Sequence, residues 1–145
     1  MESYRKANRG PLLARCASLF PHLTQGRYQD VRVQQEGSEA QLSCITQAGD
    51  ELGVEALSDG TRDQLYLALR IASIERHLEH GEPLPVVLDD ILVHFDDERA
   101  KLALGVLGEL AQKTQVLFFT HHTRIRELAR EVLGKDLHEH ELALG

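Results

Sequence analysis

The chain has 145 residues, 42% of them hydrophobic and 27% charged, a balance that excludes a disordered or fibrous protein and predicts an ordinary globular one. The formal net charge of -7, without a block rich in lysine and arginine, excludes a strongly basic nucleic-acid-binding surface. Cys16 and Cys44 lack the spacing of a metal site or a disulfide framework, and neither a signal peptide nor an apolar membrane-spanning stretch is recognisable, so a reducing, cytoplasmic compartment is expected.

The first half of the chain predicts a short helix, a hairpin and a long helix. Residues 11–20 begin with a proline suited to a first helical position, and Pro21 is expected to stop that helix. The runs RYQDVRVQQ and AQLSCIT alternate apolar and polar residues on either side of residues 36–38, which is typical of an antiparallel hairpin. Residues 58–80 then carry a wide apolar face, which predicts a long helix packed on a core.

The second half predicts a strand, a helix and a second strand in a parallel crossover. The runs at 86–88 and 116–119 do not alternate, so both strands are expected to be covered on both faces. A helix over 97–112 lies between them, and a further helix over 123–133 ends at Gly134. Because ligands gather at the carboxyl ends of parallel strands, the residues at these two strand ends are the first candidates for a site.

Two groups of candidates favour phosphate and metal chemistry. Ser58 and the backbone of Gly60 lie at the start of the long helix, where unpaired amides and a partial positive charge attract phosphate. The alternative is that Ser58 or Asp59 only caps the helix. Asp89 and Asp90 end a strand, where a divalent cation that bridges nucleotide phosphates would neutralise them, or where they cap the next segment or face solvent.

Further candidates follow the same two strands. Asp96 and Asp97 stand at the start of the next helix, either as a capping pair or as part of a site. His121 can donate to a phosphate oxygen or serve a structural purpose, and His122 is expected to face solvent. None of the eight histidines has a helical zinc-ligand spacing such as H-E-x-x-H, so no zinc site is predicted.

In this order, LSDGTRDQ, VVLDDILVHFDD and VLFFTHH, with helices between them, resemble the C-terminal lobe of ABC-type ATPase heads of the SMC, RecN and YhaN-like group. The resemblance covers about residues 18–134, and LFPHLTQGRYQDVRV is similar to the segment that joins a returning coiled-coil arm to the head. It implies an α/β fold, the C-terminal half of a P-loop NTPase, with parallel strands flanked by helices and a preceding β-hairpin.

The expected organisation is a single domain over 1–145. Residues 1–20 would end the coiled-coil arm and lead into the head, and 21–56 would form the hairpin region. Residues 57–134 would carry the signature helix, Walker B, D-loop and H-loop, and 135–145 would form a tail.

The resemblance implies a signature motif that acts on a second head. Ser58 and Gly60 would touch the γ-phosphate of ATP held by the opposite head, and Gln64 fits the same motif. Asp59 stands where the signature usually has glycine, although a variable residue followed by Gly-Thr is familiar in the YhaN-like subgroup.

The resemblance also assigns roles at the two strand ends. Asp89 would be the Walker B acid that holds Mg²⁺ through water, and Asp90 occupies the position of the usual catalytic glutamate. Asp96 would be the D-loop aspartate at the dimer seam, and His121 the H-loop histidine on the γ-phosphate. Asp90 is one methylene shorter than glutamate, so it must approach the attacking water more closely or hydrolysis is slow.

The chain contains no G-x-x-x-x-G-K-[ST] loop, because its only Gly-Lys pair, Gly134-Lys135, has Ala129 where the first glycine is needed. In proteins of this resemblance that loop belongs to an N-terminal lobe, so the chain is expected to be a fragment or a split half. The resemblance implies an ATPase active only with that lobe. It would work as a homodimer of heads on ATP and Mg²⁺, contact DNA indirectly, and serve DNA repair or chromosome maintenance.

Two alternatives of other classes stay open at this point. The acids Asp89 and Asp90 suit a Mg²⁺-dependent phosphohydrolase or a receiver-like domain, although a further strand-end acid or lysine near the pair is not obvious. Alternatively, Asp90 in place of glutamate marks a non-catalytic interaction module that keeps the ATPase shape.

Overall fold

The computed structural model describes residues 10–143. The chain divides into two compact units, Met1–Pro83 and Leu84–Gly145. The single domain expected over 1–145 stays a prediction, and its parts at 1–9 and 144–145 lie outside the described residues. Within residues 10–143, no helix combines the length and apolar character needed to cross a membrane.

The first unit contains two helices and a three-stranded antiparallel sheet in the order β1-β2-β3. In chain order the elements are α1 (Pro11–Leu23), β1 (Tyr28–Glu36), β2 (Glu39–Thr46), β3 (Glu51–Gly53), a 3-10 turn (Val54–Ala56) and α2 (Asp59–His80). The predicted hairpin and long helix are confirmed. Strand β3 was not predicted because three residues are too few to show a periodicity.

Helix α1 extends beyond the point at which the sequence predicts its end. Pro21 lies inside the helix, which continues to Leu23, so the prediction that Pro21 stops it was wrong. Proline removes one helical hydrogen bond, but Phe20 and Leu23 are completely buried and hold the last turn against the core. The hydroxyl of Thr24 also donates to the Phe20 carbonyl at 2.8 Å and caps the helix end.

Helix α1 packs against α2 and β1 to form the core of this unit. Arg15 links the two helices, since its Nε donates to Glu75 Oε2 at 2.6 Å and its Nη2 donates to Oε1 at 3.1 Å. Two thiols lie in the same core. Burial, with a smaller contribution from Cys44, raises the pKa of Cys16 to about 12, and burial raises the pKa of Cys44 to about 11.

The second unit has a two-stranded parallel sheet with two helices that pack on each other. Its elements are β4 (Val86–Asp89), α3 (Asp97–Leu110), β5 (Val116–Phe119), α4 (Thr123–Leu133) and a 3-10 turn (Gly134–Asp136). Strands β4 and β5 pair in parallel with Asp89 opposite Phe119. The predicted parallel crossover and the α/β fold class are confirmed.

The parallel strands are covered on one face rather than two. Leu88 is buried, whereas Val87 is 52% exposed and its neighbours Leu117 and Phe119 on β5 are 39% and 41% exposed. The prediction of two covered faces was therefore wrong for the described residues. A continuous apolar run indicates a strand that suits burial on both sides, but the second unit packs its residues against only one side.

Candidate functional site

The carboxyl ends of β4 and β5 meet because the strands are parallel and in register. Immediately after β4, the backbone of Asp90 turns into the left-handed region with φ of 50°, a conformation that aspartate tolerates better than most residues. The Asp90 amide donates to the Phe119 carbonyl at 2.7 Å, which anchors the turn. Thr120 follows β5, and its hydroxyl donates to Asp90 Oδ1 at 2.8 Å. One carboxylate oxygen is thereby fixed.

Two histidines lie against the other oxygen of the same carboxylate. His121 Nδ1 is 3.3 Å from Asp90 Oδ2, and His122 Nε2 is 3.1 Å from it. The imidazole rings lie together, with centroids 4.2 Å apart. Asp90 is mostly buried with its side chain 20% exposed, whereas the side chain of His121 is 81% exposed. The two strand ends thus present one partly sheltered carboxylate with two nitrogen groups above it.

The structure places His122 differently from the expectation that it faces solvent. Its side chain is 38% exposed, less than half the value for His121, and it contacts Asp90. The reason is the turn that follows β5. The His122 amide donates to the Thr120 hydroxyl at 3.1 Å, so strand alternation ends and both imidazoles reach the same carboxylate.

Asp89 and Asp96 lie on either side of Asp90 along the chain. Asp89 is the last residue of β4 and is exposed, as a metal ligand acting through water would need to be. Asp96 caps α3, since its Oδ1 accepts from the Arg99 amide at 2.9 Å. Its side chain is 63% exposed. The other oxygen, Oδ2, lies 3.4 Å from Arg99 Nε, so both carboxylate oxygens have a partner within α3. The D-loop role of Asp96 stays a prediction.

An arginine that the sequence did not single out joins the segment before α3 to the start of α4. Arg124 Nη1 donates to Asp97 Oδ1 at 2.6 Å, and its Nη2 donates to the Phe95 carbonyl at 3.0 Å. Phe95 itself is buried. This clamp ties residues 95–97 to the start of α4, directly after the two histidines. A single arginine at a helix start carries no sequence signal for such a contact. Thr120 and His122 were recognisable as residues at a strand end, but no local signal indicated that they contact Asp90.

The predicted signature residues lie in the first unit, at the start of α2. Ser58 caps the helix because its Oγ accepts from the Thr61 amide at 3.2 Å and donates to Thr61 Oγ1 at 2.8 Å. Gly60 is in the first turn, and Asp59 points outward with a side chain that is 88% exposed. The Ser58 side chain thus has the capping function expected as one alternative, and it remains exposed at the helix end.

Gln64 occupies an interior position rather than a surface one. Its side chain is fully buried, and Nε2 donates to the Leu23 carbonyl at 2.6 Å, which ties α2 to the end of α1. Among the described residues, Gln64 Oε1 is buried without a hydrogen-bond partner. The direct ATP contact predicted for Gln64 stays a prediction, and the geometry favours a positioning role.

The sequence is similar to one bacterial and one archaeal protein. It is 35% identical over 129 residues to the uncharacterized protein YhaN of Bacillus subtilis, covering 88% of this chain and 13% of YhaN. It is 26% identical over 97 residues to the DNA double-strand break repair Rad50 ATPase of Saccharolobus solfataricus, covering 66% of this chain and 11% of Rad50. The chain thus spans only a small part of either relative. No protein-family model matches it.

The fold is similar to solved SMC head structures at 19–20% identity. A structure from work on ATP-driven dimerization and DNA-stimulated activation of SMC ATPases has a TM-score of 0.67, covering 82% of this chain and 72% of that one. The Smc head of Pyrococcus furiosus bound to the C-terminal domain of ScpA has a TM-score of 0.64, with coverage of 82% and 30%. The SMC head domain of Thermotoga maritima has a TM-score of 0.59, with coverage of 85% and 42%. Sequence similarity to YhaN and Rad50 and fold similarity to SMC heads together support a C-terminal lobe of an SMC-like ABC ATPase head.

Proposed function

We propose that the chain is the C-terminal part of an SMC-like ATPase that binds and hydrolyses ATP with Mg²⁺ between two heads. The observation that carries this proposal is the cluster of Asp90, Thr120 and His121 at one sheet edge, with hydrogen-bond or ion-pair distances of 2.8 and 3.3 Å to Asp90. The ABC resemblance implies roles for the carboxylate of Asp90 and the nitrogen donor of His121, and Thr120 adds a hydroxyl that orients the carboxylate. Hydrolysis would drive a conformational change that serves DNA repair or chromosome maintenance in the cytoplasm.

The donor atoms at the sheet edge fit Mg²⁺ and the phosphates of ATP. Mg²⁺ prefers oxygen ligands and keeps several waters, which suits the exposed carboxylate of Asp89. Bound Mg²⁺ would supply positive charge that offsets the charge of the phosphates. Asp90 orients the attacking water and accepts its proton, while Thr120 holds the carboxylate in place. His121 donates to the γ-phosphate, and its exposure leaves it free to do so.

The start of α2 supports a role for Ser58 and Gly60 toward the opposite head. Helix N-termini attract phosphate, and the 22-residue helix is anchored behind its first turn by the buried Gln64. Asp59 is largely exposed, and its Oδ1 lies 3.8 Å from Arg62 Nη1, whose positive charge offsets its own. Asp96 would lie at the seam of the same homodimer. DNA would be contacted indirectly, through the full assembly.

The phosphate cradle would come from an N-terminal lobe on the same chain or a companion chain. The sequence has no Walker A loop, and the exposed face of Val87, Leu117 and Phe119 is apolar and suited to a further packed layer. Without the cradle, fixed donors for the β- and γ-phosphates are missing, so this chain alone is expected to bind ATP very weakly.

The decisive experiment measures ATP turnover by a complete head, formed from this lobe and its Walker A lobe. Asp90→Asn should lower kcat by about 100-fold or more, because it removes the base while it keeps the shape. His80→Ala, on an exposed surface of the first unit, is the matched control and should leave kcat unchanged. Full activity of Asp90→Asn would contradict the proposal. Turnover by this chain alone would contradict the need for a second lobe.

Asp90→Glu in the complete head tests whether the shorter side chain of Asp90 supports full ATP hydrolysis. Little change in kcat is expected, because Thr120 already holds the shorter carboxylate in place. A large gain in kcat would show that the native head has lost activity through the missing methylene.

A further inference from the structure

The side chains above the sheet edge form a group with the composition of a transition-metal site. Among the described residues, Asp90, His121 and His122 each offer one ligand atom, and these three atoms lie within 4.8 Å of one another. Two imidazoles and one carboxylate favour Zn²⁺ and its neighbours over Mg²⁺, which prefers oxygen ligands. The His122 nitrogen is the addition that no nucleotide role in the proposed function requires.

The spacing of the ligand atoms fits tetrahedral coordination. Zn²⁺ binds imidazole nitrogen and carboxylate oxygen at about 2.0–2.2 Å, which places neighbouring ligands of a tetrahedron roughly 3.3–3.5 Å apart. The observed distances from Asp90 Oδ2 are 3.3 Å to His121 Nδ1 and 3.1 Å to His122 Nε2. All three ligand atoms lie within 4.8 Å of one another, so side-chain rotation is expected to admit the ion.

The carboxylate already has the outer support that bound metals usually require. Thr120 Oγ1 donates to Asp90 Oδ1, and this leaves Oδ2 directed toward the two imidazoles. The Asp90 side chain is also mostly sheltered from solvent. Three protein ligands leave a fourth position for water, so the arrangement is open rather than closed.

We propose that Asp90, His121 and His122 bind one Zn²⁺ ion, and that the bound ion inhibits the head. The binding itself does not depend on the proposed ATPase. The inhibition rests on that proposed function, because the ion would occupy the carboxylate that activates water and the imidazole that reaches the γ-phosphate. In this state the ion blocks the residues proposed to hydrolyse ATP.

The binding experiment uses this chain with Zn²⁺ alone, measured by calorimetry and by displacement of Co²⁺, whose ligand-field absorption reports tetrahedral coordination. His138→Asn and His140→Asn are combined in the parent protein to remove the histidines of the C-terminal segment. One ion per chain is expected. His122→Ala and His121→Ala should each weaken Zn²⁺ binding by about 100-fold, and Thr120→Val by about tenfold.

The control variant His77→Ala, on α2, should bind Zn²⁺ as the parent does. Circular dichroism and the urea midpoint of each variant separate a lost ligand from a lost fold. Equal Zn²⁺ affinity in the parent and in folded His121→Ala and His122→Ala proteins would overturn the proposed site, as would octahedral Co²⁺ spectra that are insensitive to these changes.

The inhibition experiment uses the complete head at fixed Mg²⁺-ATP, with each variant normalised to its own rate without Zn²⁺. Zn²⁺ should lower turnover of the unmodified head at least tenfold, and His122→Ala should need about 100-fold more Zn²⁺ for the same effect. Equal sensitivity of the two heads would overturn the regulatory step. If the complete head has no ATPase activity, the proposed function fails, whereas calorimetry on this chain still decides the metal site.

Discussion

Asp90 is the residue on which most of the site depends, because three side chains contact its two oxygens. Thr120 holds Oδ1, and the two histidines approach Oδ2. Backbone geometry contributes as well, since the positive φ of Asp90 turns the chain away from the strand immediately after Asp89. A carboxylate held in this way loses less orientational freedom on reaction, which compensates for its short side chain.

Removing the Thr120 hydroxyl tests that compensation. A hydrogen bond to a charged group contributes about 1.5–3 kcal/mol, so Thr120→Val should lower kcat of the complete head by roughly tenfold or more. Thr120→Ser keeps the donor and should restore most of the activity. Equal kcat values for the valine and serine variants would show that the hydroxyl does not position the carboxylate.

The two buried thiols give a prediction for pH. Their pKa values of about 12 for Cys16 and about 11 for Cys44 lie above the ordinary value of 9.0. A raised pKa in the folded state stabilises the fold fully below pH 9, and this contribution is lost as the pH rises toward those values. The urea midpoint should therefore fall between pH 9 and 11, and less so in a Cys16→Ala, Cys44→Ala double variant. The same fall in both proteins would contradict this assignment.

At the scale of elements, two of the four described helices start with a side-chain cap that also lies at a predicted site position. Asp96 caps α3 and Ser58 caps α2, both through a backbone amide three residues on. A capping residue both stabilises its helix and orients the loop before it. Each of these residues can therefore serve both as a helix cap and in the site, and only matched substitutions separate the two roles.

Asp96→Ala should lower the free energy of unfolding by about 1 kcal/mol, because the cap of α3 is lost. Asp96→Asn keeps an acceptor oxygen and should lose much less. If turnover of the complete head falls in Asp96→Asn while its urea midpoint is unchanged, the residue has a role beyond capping. Equal destabilisation by both variants would show that the cap contributes little.

Helix α3 also contains two glycines with different surroundings, which test its contact with α4. A Cβ atom at Gly105 would meet nothing within 4 Å, whereas at Gly108 it would lie 2.6 Å from Leu133 Cδ2 on α4. Gly105→Ala should stabilise the protein by about 0.5–1 kcal/mol through helix propensity. Gly108→Ala should gain less, because Leu133 must move. The urea midpoints of the two variants decide this, and equal gains would mean that the α3–α4 contact is loose.

At the scale of the whole molecule, the main feature is a parallel sheet of two strands with one apolar face exposed. Leu88 lies on the covered face, and Leu117 lies on the open one. A two-stranded sheet alone is a weak structure, and three or more strands or a packed layer are usual. The exposed face is the basis of the proposal that a Walker A lobe packs there.

Substitutions on the two faces should differ in effect. Leu88→Ala should cost about 2–5 kcal/mol in this chain, because it creates a buried cavity. Leu117→Ser should cost far less here, yet it should weaken association with the Walker A lobe. Urea unfolding of this chain and calorimetric titration with that lobe measure the two effects. Unchanged association of the Leu117→Ser variant would show that the lobe binds elsewhere.

The sequence alone determined the types and order of the longer helices and strands, though not β3, because hydrophobic period, glycine positions and helix-start residues are local signals. It also predicted Asp90 and His121 at neighbouring strand ends, since parallel pairing brings carboxyl ends together. Only the tertiary structure decided that His122 reaches the same carboxylate and that Gln64 lies inside the core. It likewise decided that one face of the sheet is open. Side-chain direction after a strand ends, and burial between distant helices, depend on contacts that no local pattern encodes.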